Sequence, residues 1–205
     1  MNTINAAIYN ILEWITRFAY INLLWILFTL LGGVIFGFFP STIAMFAIVR
    51  DWLRGKSDFP ILKSFWKYYR GDFLKSNQLG IFISLITAII TINLFFIQLN
   101  TLDWLTWTYA PLFAFILVFV LFLFYIFPAF VHFDLKIFKL IKNAFLIMLV
   151  NPIQTILMLL SLVSIFFIMY LIPPLFFIFG GSSYAFITMW LCLNIFNKIT
   201  ENTAK

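Results

Sequence analysis

Long apolar blocks are the feature that most constrains how this chain can fold. Each block has about 20 residues, and at a rise of about 1.5 Å per residue a helix of that length crosses a hydrocarbon layer of about 30 Å. The blocks are Phe18–Phe39, Leu79–Ile97, Thr108–Phe127, Ile153–Ile172 and Leu175–Phe196. A transmembrane β-barrel would need segments of about ten residues in which apolar and polar side chains alternate, and the sequence has no such pattern. The blocks predict an all-α, polytopic transmembrane helical bundle of about five spans, with residues 1–205 forming a single membrane domain.

The overall composition indicates the same class of protein. Apolar residues make up 64% of the chain and charged residues 10%, whereas soluble domains have about 45–50% and about 25%. The last two blocks form one apolar run that is too long for a single crossing. We predict the break at Pro173-Pro174, because proline has no backbone N–H and disfavours the helical conformation of the residue before it.

Positive charge orients the predicted spans. Seven of the 13 basic residues lie in a basic-aromatic segment, residues 41–78, and further lysines lie in a second segment, residues 131–152. Short loops rich in Lys and Arg stay in the cytoplasm. Both segments, and the C-terminus near Lys198, are therefore predicted to be cytoplasmic. The loops at residues 98–107 and 173–174 contain no basic residue and are predicted to lie outside.

Two segments near the N-terminus leave the number of crossings open between five and six. Residues 41–52 are apolar but short for a span, which favours a helix that enters the cytoplasmic layer from the membrane edge, with a sixth crossing as the alternative. Residues 1–17 are predicted to form an amphipathic interfacial helix, because Ile8 and Ile15 lie near helical spacing and Trp14 suits the interface. Five spans would place the N-terminus outside and six would place it inside, so its side stays open.

The basic-aromatic segment contains a second amphipathic helix. Ser57-Asp58 followed by Phe59-Pro60 predicts its start, with Asp58 as the cap, and apolar and basic residues then follow on opposite sides. Eight residues are candidates for lipid or partner docking: Arg50, Trp52, Arg54, Lys63, Trp66, Lys67, Arg70 and Lys75. The helix could lie on the anionic inner leaflet, where each basic group gains about 1 kcal/mol, or it could dock a cytoplasmic protein. Nucleic-acid binding is not predicted, because no recognised motif accompanies the charge.

Residues that carry catalysis or bind metals are almost absent from the sequence. His132 is the single histidine and Cys192 the single cysteine, and no phosphate-binding glycine loop or HExxH motif is present. Asp103 is the one acid predicted on the outer side, which excludes a paired-carboxylate site there. The sequence therefore predicts no catalytic, metal or cofactor site. The predicted spans also lack an ionisable group at mid-depth, which disfavours an ion-coupled carrier.

Small and hydroxyl residues recur on one face of the second block. Gly80, Ser84, Thr87 and Thr91 follow spacings of four, three and four residues, which favours close packing against another helix, with a polar path as the alternative. The pair Gly180-Gly181 in the last block has two similar interpretations. It either packs closely against a neighbouring helix or unwinds the helix locally to build a binding site.

Two runs of the chain resemble a known family. The run LLWILFTLLGGVIFGFFPSTIAMFAIVRDWLRGKSDFPILKSFWKYYRGDFLKSN, from Leu23 to Asn77, resembles the signature of the YesL-like family, bacterial membrane proteins of unknown function. KNAFLIMLVNPIQT, from Lys142 to Thr155, is similar to a second block of that family. The resemblance implies a multi-pass protein of the bacterial cell membrane. It also implies a link to carbohydrate uptake, since members are often encoded beside binding-protein-dependent sugar importers, and it carries over no catalytic residue.

Three functions remain open at this point. The first is a non-enzymatic accessory protein that acts through its basic-aromatic segment on a permease, ATPase or regulator of sugar uptake. The second is a permease subunit or small carrier, although the Glu-Ala-Ala pattern of ATPase-coupled permeases is missing. The third is a membrane scaffold or sensor. The expected partners are the lipid bilayer and subunits of a sugar importer, and the oligomeric state and the sugar stay open.

Overall fold

The computed structural model describes residues 3–99 and 107–203, and the side chains of residues 8–99 and 107–199. Eight helices, and no strand, make up this described part of the chain. They are α1 (Thr3–Leu31), α2 (Ile35–Leu53), α3 (Ile61–Gly71), α4 (Phe73–Leu99), α5 (Tyr109–His132), α6 (Ile137–Val150), α7 (Pro152–Leu171) and α8 (Pro173–Thr203). The predicted break at Pro173-Pro174 is confirmed, while Asp103 lies outside the described residues.

Six of these helices are long and apolar enough to cross a membrane. Their spans are Ile8–Leu31, Ile35–Leu53, Phe73–Leu99, Tyr109–His132, Pro152–Leu171 and Pro173–Ile199. The prediction of an all-α transmembrane bundle is confirmed, and the span count matches the six-span alternative. Six crossings place the start of α1 and the end of α8 on the same side of the membrane.

The first predicted span, Phe18–Phe39, is wrong because the chain reverses direction inside it. Helix α1 ends at Leu31, and Gly33 and Val34 have φ angles of 71° and 64°. Glycine adopts a positive φ readily, whereas valine rarely does. Residues 3–17 of the predicted N-terminal helix form the first part of α1, since no glycine or proline interrupts this part of the sequence.

Helix α2 lies at the centre of the bundle, where it packs against α1, α3, α4, α5 and α8. In the apolar stretch of this helix 67% of the residues are buried, which is the largest share among the six spans. The ring of Phe46 stacks on Phe127 of α5 at 5.6 Å and meets Tyr184 of α8 edge-on at 5.8 Å. The prediction that residues 41–52 form a short helix at the membrane edge is therefore wrong. They belong to a 19-residue helix that the other spans surround.

The two interior prolines each free a carbonyl that a neighbouring helix then bonds. Pro40 cannot donate to the carbonyl of Phe36, and Nδ2 of Asn77 on α4 donates to that oxygen at 3.2 Å. Pro128 likewise cannot donate to the carbonyl of Phe124, and the Cys192 thiol of α8 donates to it at 3.9 Å. These donors from neighbouring helices make a proline tolerable within a membrane helix, because an unpaired carbonyl in hydrocarbon costs several kcal/mol.

Candidate docking surface

Helix α3 forms where the sequence predicts it, but its start differs. Pro60 precedes the first helical residue in an extended conformation, with φ −68° and ψ 105°, and no side chain caps the helix. The predicted Asp58 cap is therefore wrong. The Asp58 carboxylate instead accepts a 3.4 Å hydrogen bond from the hydroxyl of its neighbour Ser57. Proline fixes the extended conformation before the helix, and no side chain caps the N–H groups of the first turn.

The amphipathic pattern predicts an aromatic side and a basic side for α3, and in the structure the aromatic side is buried and contacts α1. Phe65 is 0% exposed and Tyr69 is 6% exposed. The ring of Phe28 on α1 lies 5.1 Å from the ring of Phe65 and 5.2 Å from that of Tyr69. Aromatic pairs in this range are worth about 0.5–1.5 kcal/mol beyond the area they bury, so these contacts fix one face of α3.

A hydrogen-bonded chain ties α3 to α2 and α5. The Tyr68 hydroxyl donates to Asp51 Oδ2 at 2.5 Å, and Arg50 Nη2 donates to Asp51 Oδ1 at 3.0 Å. Arg50 also donates to the carbonyl of Val131 near the end of α5. Burial raises the pKa of the Tyr68 hydroxyl, and its hydrogen bond to Asp51 raises that pKa further, so it remains a proton donor at neutral pH.

Two further polar contacts lie near the end of α5. Arg54 donates to Nδ1 of His132 at 3.2 Å, and the Lys75 ammonium pairs with Asp134 at 3.1 Å. From the sequence alone, His132 and Asp134 are predicted to point in different directions, because residues two apart lie on different faces of a helix. Helix α5 ends at His132, however, so Asp134 is free of that constraint. We call this set the polar network: Arg50, Asp51, Arg54, Tyr68, Lys75, His132 and Asp134.

The structure divides the eight candidate docking residues into two groups. Arg50, Arg54 and Lys75 belong to the polar network. Trp52 is 4% exposed and meets Trp14 edge-on at 5.7 Å, so its ring is part of the core. Each of these four residues contacts another part of the chain. Trp52 is buried and Arg50 and Lys75 are half-buried, whereas Arg54 is exposed.

The other four residues form what we call the α3 outer face. They are Lys63, Trp66, Lys67 and Arg70. The three basic side chains are exposed, and none makes an ion pair or hydrogen bond with another described residue. Trp66 is 49% exposed, and one side of its ring stacks on Tyr69 at 5.9 Å. This face therefore combines uncompensated positive charge with an aromatic ring that is held from behind.

The small-residue face of α4 has two different environments. Gly80 packs against α2, and a Cβ at this position would overlap the ring of Phe39. Ser84, Thr87 and Thr91 instead face an open cavity of about 720 Å³ between α2, α4, α5 and α8. Close packing therefore holds at Gly80 but not at the three hydroxyl residues.

The hydroxyl groups in this cavity are largely committed to the backbone. Thr87 and Thr91 donate to the carbonyls four residues earlier at 2.9 Å and 2.8 Å. Tyr184, on the opposite wall, donates to the carbonyl of Leu123 at 2.9 Å. Within the described part of the chain, Ser84 is the one hydroxyl in this cavity without a hydrogen-bond partner.

Of the glycine pair in α8, Gly181 packs closely against α1, and the helix continues through both glycines. Asn22 of α1 is 2% exposed and donates to the Phe177 carbonyl at 2.6 Å. Its Oδ1 accepts the N–H groups of Gly181 at 3.1 Å and Ser182 at 3.2 Å. In a regular helix the N–H of Gly181 pairs with the carbonyl of Phe177. The side-chain amide of Asn22 hydrogen-bonds to both of these backbone groups. A Cβ at residue 181 would lie 2.9 Å from Oδ1, whereas Gly180 meets only the ring of Phe176.

Comparison with known proteins finds a family model that matches the part of the chain containing α3. The family model described as "Protein of unknown function, DUF624" matches residues 18–94, which run from α1 into α4. The protein YteU of Bacillus subtilis (strain 168) is 38% identical over 191 residues, which cover 93% of this chain and 85% of YteU. YesL of the same organism is 27% identical over 195 residues, 94% of this chain and 90% of YesL. The chain belongs to the DUF624, or YesL-like, family.

A third relative also matches over nearly the whole chain. YesV of Bacillus subtilis (strain 168) is 36% identical over 198 residues, which cover 96% of this chain and 94% of YesV. All three relatives are described as uncharacterised proteins. No solved structure matches this chain. The YesL-like resemblance of residues 23–77 is therefore confirmed, and the family supplies no reaction or ligand.

Proposed function

We propose that this protein is a non-enzymatic accessory component of a bacterial sugar importer, and that it docks a cytoplasmic part of the importer on the α3 outer face. The observation that carries the proposal is the contrast between the two sides of α3. Phe65 and Tyr69 fix one side in the core, while Lys63, Lys67 and Arg70 have no partner among the described residues. The link to sugar uptake rests on the implied association of the family with sugar importers.

The composition of the α3 outer face supports protein docking. Trp and Arg are enriched among residues that dominate binding energy at interfaces, and Trp66 and Arg70 lie one turn apart. Basic groups attract an acidic partner and speed its association. The polar network holds α3 in place before binding, so a partner would not have to order this helix, and the entropy loss on association is smaller.

The open cavity beside α4 weighs against the carrier alternative. A sugar carries several hydroxyl groups, and each one buried without a partner costs about 1–3 kcal/mol. Thr87, Thr91 and Tyr184 already donate to carbonyls, which leaves Ser84 to donate to a sugar. The walls are otherwise aliphatic and aromatic. This cavity suits an apolar occupant such as a lipid chain better than a sugar.

Neutralising the α3 outer face tests the docking proposal. We expect the triple variant Lys63→Gln, Lys67→Gln, Arg70→Gln to recover about tenfold less of the importer's permease and ATPase subunits after mild crosslinking and affinity purification. Exposed ion pairs contribute about 0.2–1 kcal/mol each, so three contribute about 1.5 kcal/mol, close to a factor of ten. Growth on the imported sugar should slow both in this variant and in a deletion strain.

The second basic segment offers a matched control with the same change in charge. The variant Lys136→Gln, Lys139→Gln, Lys142→Gln should recover the importer subunits as the unmodified protein does. Equal recovery by the α3 variant would contradict the docking proposal and leave α3 as a membrane-surface helix. A deletion strain with normal sugar uptake but altered expression of the sugar genes would support a sensor instead.

A further inference from the structure

A second surface lies between α6, α7 and the end of α8. It is an open cavity of about 340 Å³, which we call the Lys198 groove. Its lining is Leu146, Ile147, Val150, Asn151, Gln154, Ile195, Lys198 and Ile199. The apolar side chains form its walls, and one ammonium and two amide groups complete it. None of these residues belongs to the α3 outer face or to the polar network.

The position of the Lys198 groove along the helices indicates what it meets in a membrane. The apolar span of α7 begins at Pro152, directly after Asn151. Lys198 is the first charged residue that follows the long uncharged run of α8, and such residues lie near the ends of membrane spans. The polar groups therefore lie where both spans reach the membrane surface. Lipid phosphates lie at that depth, and the first carbons of the lipid chains lie just below them.

The polar side chains in the groove retain unused hydrogen-bonding capacity. Lys198 is exposed and makes no ion pair with a residue that the structure describes. The half-buried Gln154 amide has no hydrogen bond to another described residue. Asn151 donates one N–H to the carbonyl of Ile147 at 2.8 Å, and its second N–H remains. An ammonium and two amides can together bind a phosphate through charge-assisted and neutral hydrogen bonds.

We propose that the Lys198 groove binds one anionic phospholipid, with the phosphate at Lys198 and Gln154 and the start of an acyl chain against Val150 and Ile195. Charge complementarity favours this occupant over a zwitterionic lipid, since a single cation faces the mouth. The apolar walls favour it over a free phosphate, because they gain only from an occupant that carries a chain. The site thus makes the protein selective for lipids of the anionic leaflet.

Native mass spectrometry of the full-length protein in detergent tests this inference. Phosphatidylglycerol and phosphatidylcholine with the same oleoyl chains are added at equal concentration. We expect one phosphatidylglycerol to bind about tenfold more tightly than phosphatidylcholine, and Lys198→Gln to reduce the preference to near parity, since one charge-assisted hydrogen bond is worth about 1.5–3 kcal/mol. Lys139→Gln, an exposed lysine of α6 outside the groove, should leave the preference unchanged.

A second variant separates the role of the walls from that of the charge. Val150→Trp fills the groove and keeps Lys198, so it should also abolish the bound phosphatidylglycerol. An unchanged preference in Lys198→Gln, or an equal loss in Lys139→Gln, would overturn the proposal. Displacement of the lipid by inorganic phosphate at a similar concentration would also overturn it, because the walls would then contribute nothing.

Discussion

Replacing Asn22 with aspartate is expected to lower the free energy of unfolding by about 3–5 kcal/mol, the range for an uncompensated buried charge. The two side chains have the same shape, but a carboxylate cannot donate to the Phe177 carbonyl that Asn22 Nδ2 bonds at 2.6 Å. Two oxygens would then face each other at a position that is 2% exposed. Thermal unfolding of the purified protein in detergent measures the effect.

A leucine at the same position separates the charge from the hydrogen bonds. Asn22→Leu should cost about 1–2 kcal/mol, since Phe177 and Gly181 belong to one continuous helix that can pair them, while α1 loses its link to α8. Asn93 provides the matched control, because it is exposed and donates to Ile89 of its own helix at 2.8 Å. Asn93→Leu should change stability by less than about 0.5 kcal/mol. Equal stability of Asn22→Asp and Asn93→Leu would mean that the contact between α1 and α8 is unimportant.

Replacing Gly37 with alanine should destabilise the protein by about 3 kcal/mol, at the upper end for overpacking. A Cβ at this position would lie 2.8 Å from the Phe28 carbonyl oxygen, 2.9 Å from Gly32 Cα, and closer still to the carbonyl oxygen of Thr29. These are backbone atoms, so α1 and α2 must separate to make room. The hydrogen bond between the hydroxyls of Thr29 and Ser41, now 2.6 Å, would lengthen with them.

Gly71 provides the control for this substitution. A Cβ at Gly71 would meet no atom within 4 Å, and its φ is not positive. Gly71→Ala should therefore be neutral or raise stability by up to about 1 kcal/mol, because alanine restricts the unfolded chain. Melting temperatures of the two variants in the same detergent decide the matter. A melting temperature for Gly37→Ala as high as that for Gly71→Ala would show that α1 and α2 are not tightly packed.

The apolar blocks predict most spans because hydrocarbon requires about 20 apolar residues in a row, whatever the helices pack against. They do not predict the reversal at Gly33 and Val34. The residues on both sides are equally apolar, and a glycine pair is also compatible with a continuous membrane helix. Only the packing of α2 in the bundle centre makes the reversal evident. Because the sequence does not predict the reversal, residues 35–39 fall in the first predicted span, and residues 41–52 alone are too short for a second one.

The amphipathic pattern of α3 predicts its buried and exposed sides because that pattern depends on one helix alone. It cannot tell which basic residues are already paired, since those pairs join distant parts of the chain. Lys75 meets Asp134, and Arg50 meets the carbonyl of Val131, only once α4 and α5 pack beside α2. The role of Asn22 is likewise invisible in the sequence, although an amide in the middle of an apolar span is a signal for a partner helix.

A photoreactive side chain at Trp66 tests the central claim most directly, because a crosslink forms only with molecules that touch the α3 outer face. A benzophenone amino acid replaces Trp66 in the full-length protein in living cells, and the control carries it at Phe138, an aromatic residue of α6 that is 88% exposed. We expect irradiation to link the Trp66 position, and not the Phe138 position, to a permease or ATPase subunit of the sugar importer, identified by peptide mass spectrometry. Adducts with lipid alone at Trp66, in cells that contain the assembled importer, would contradict the account.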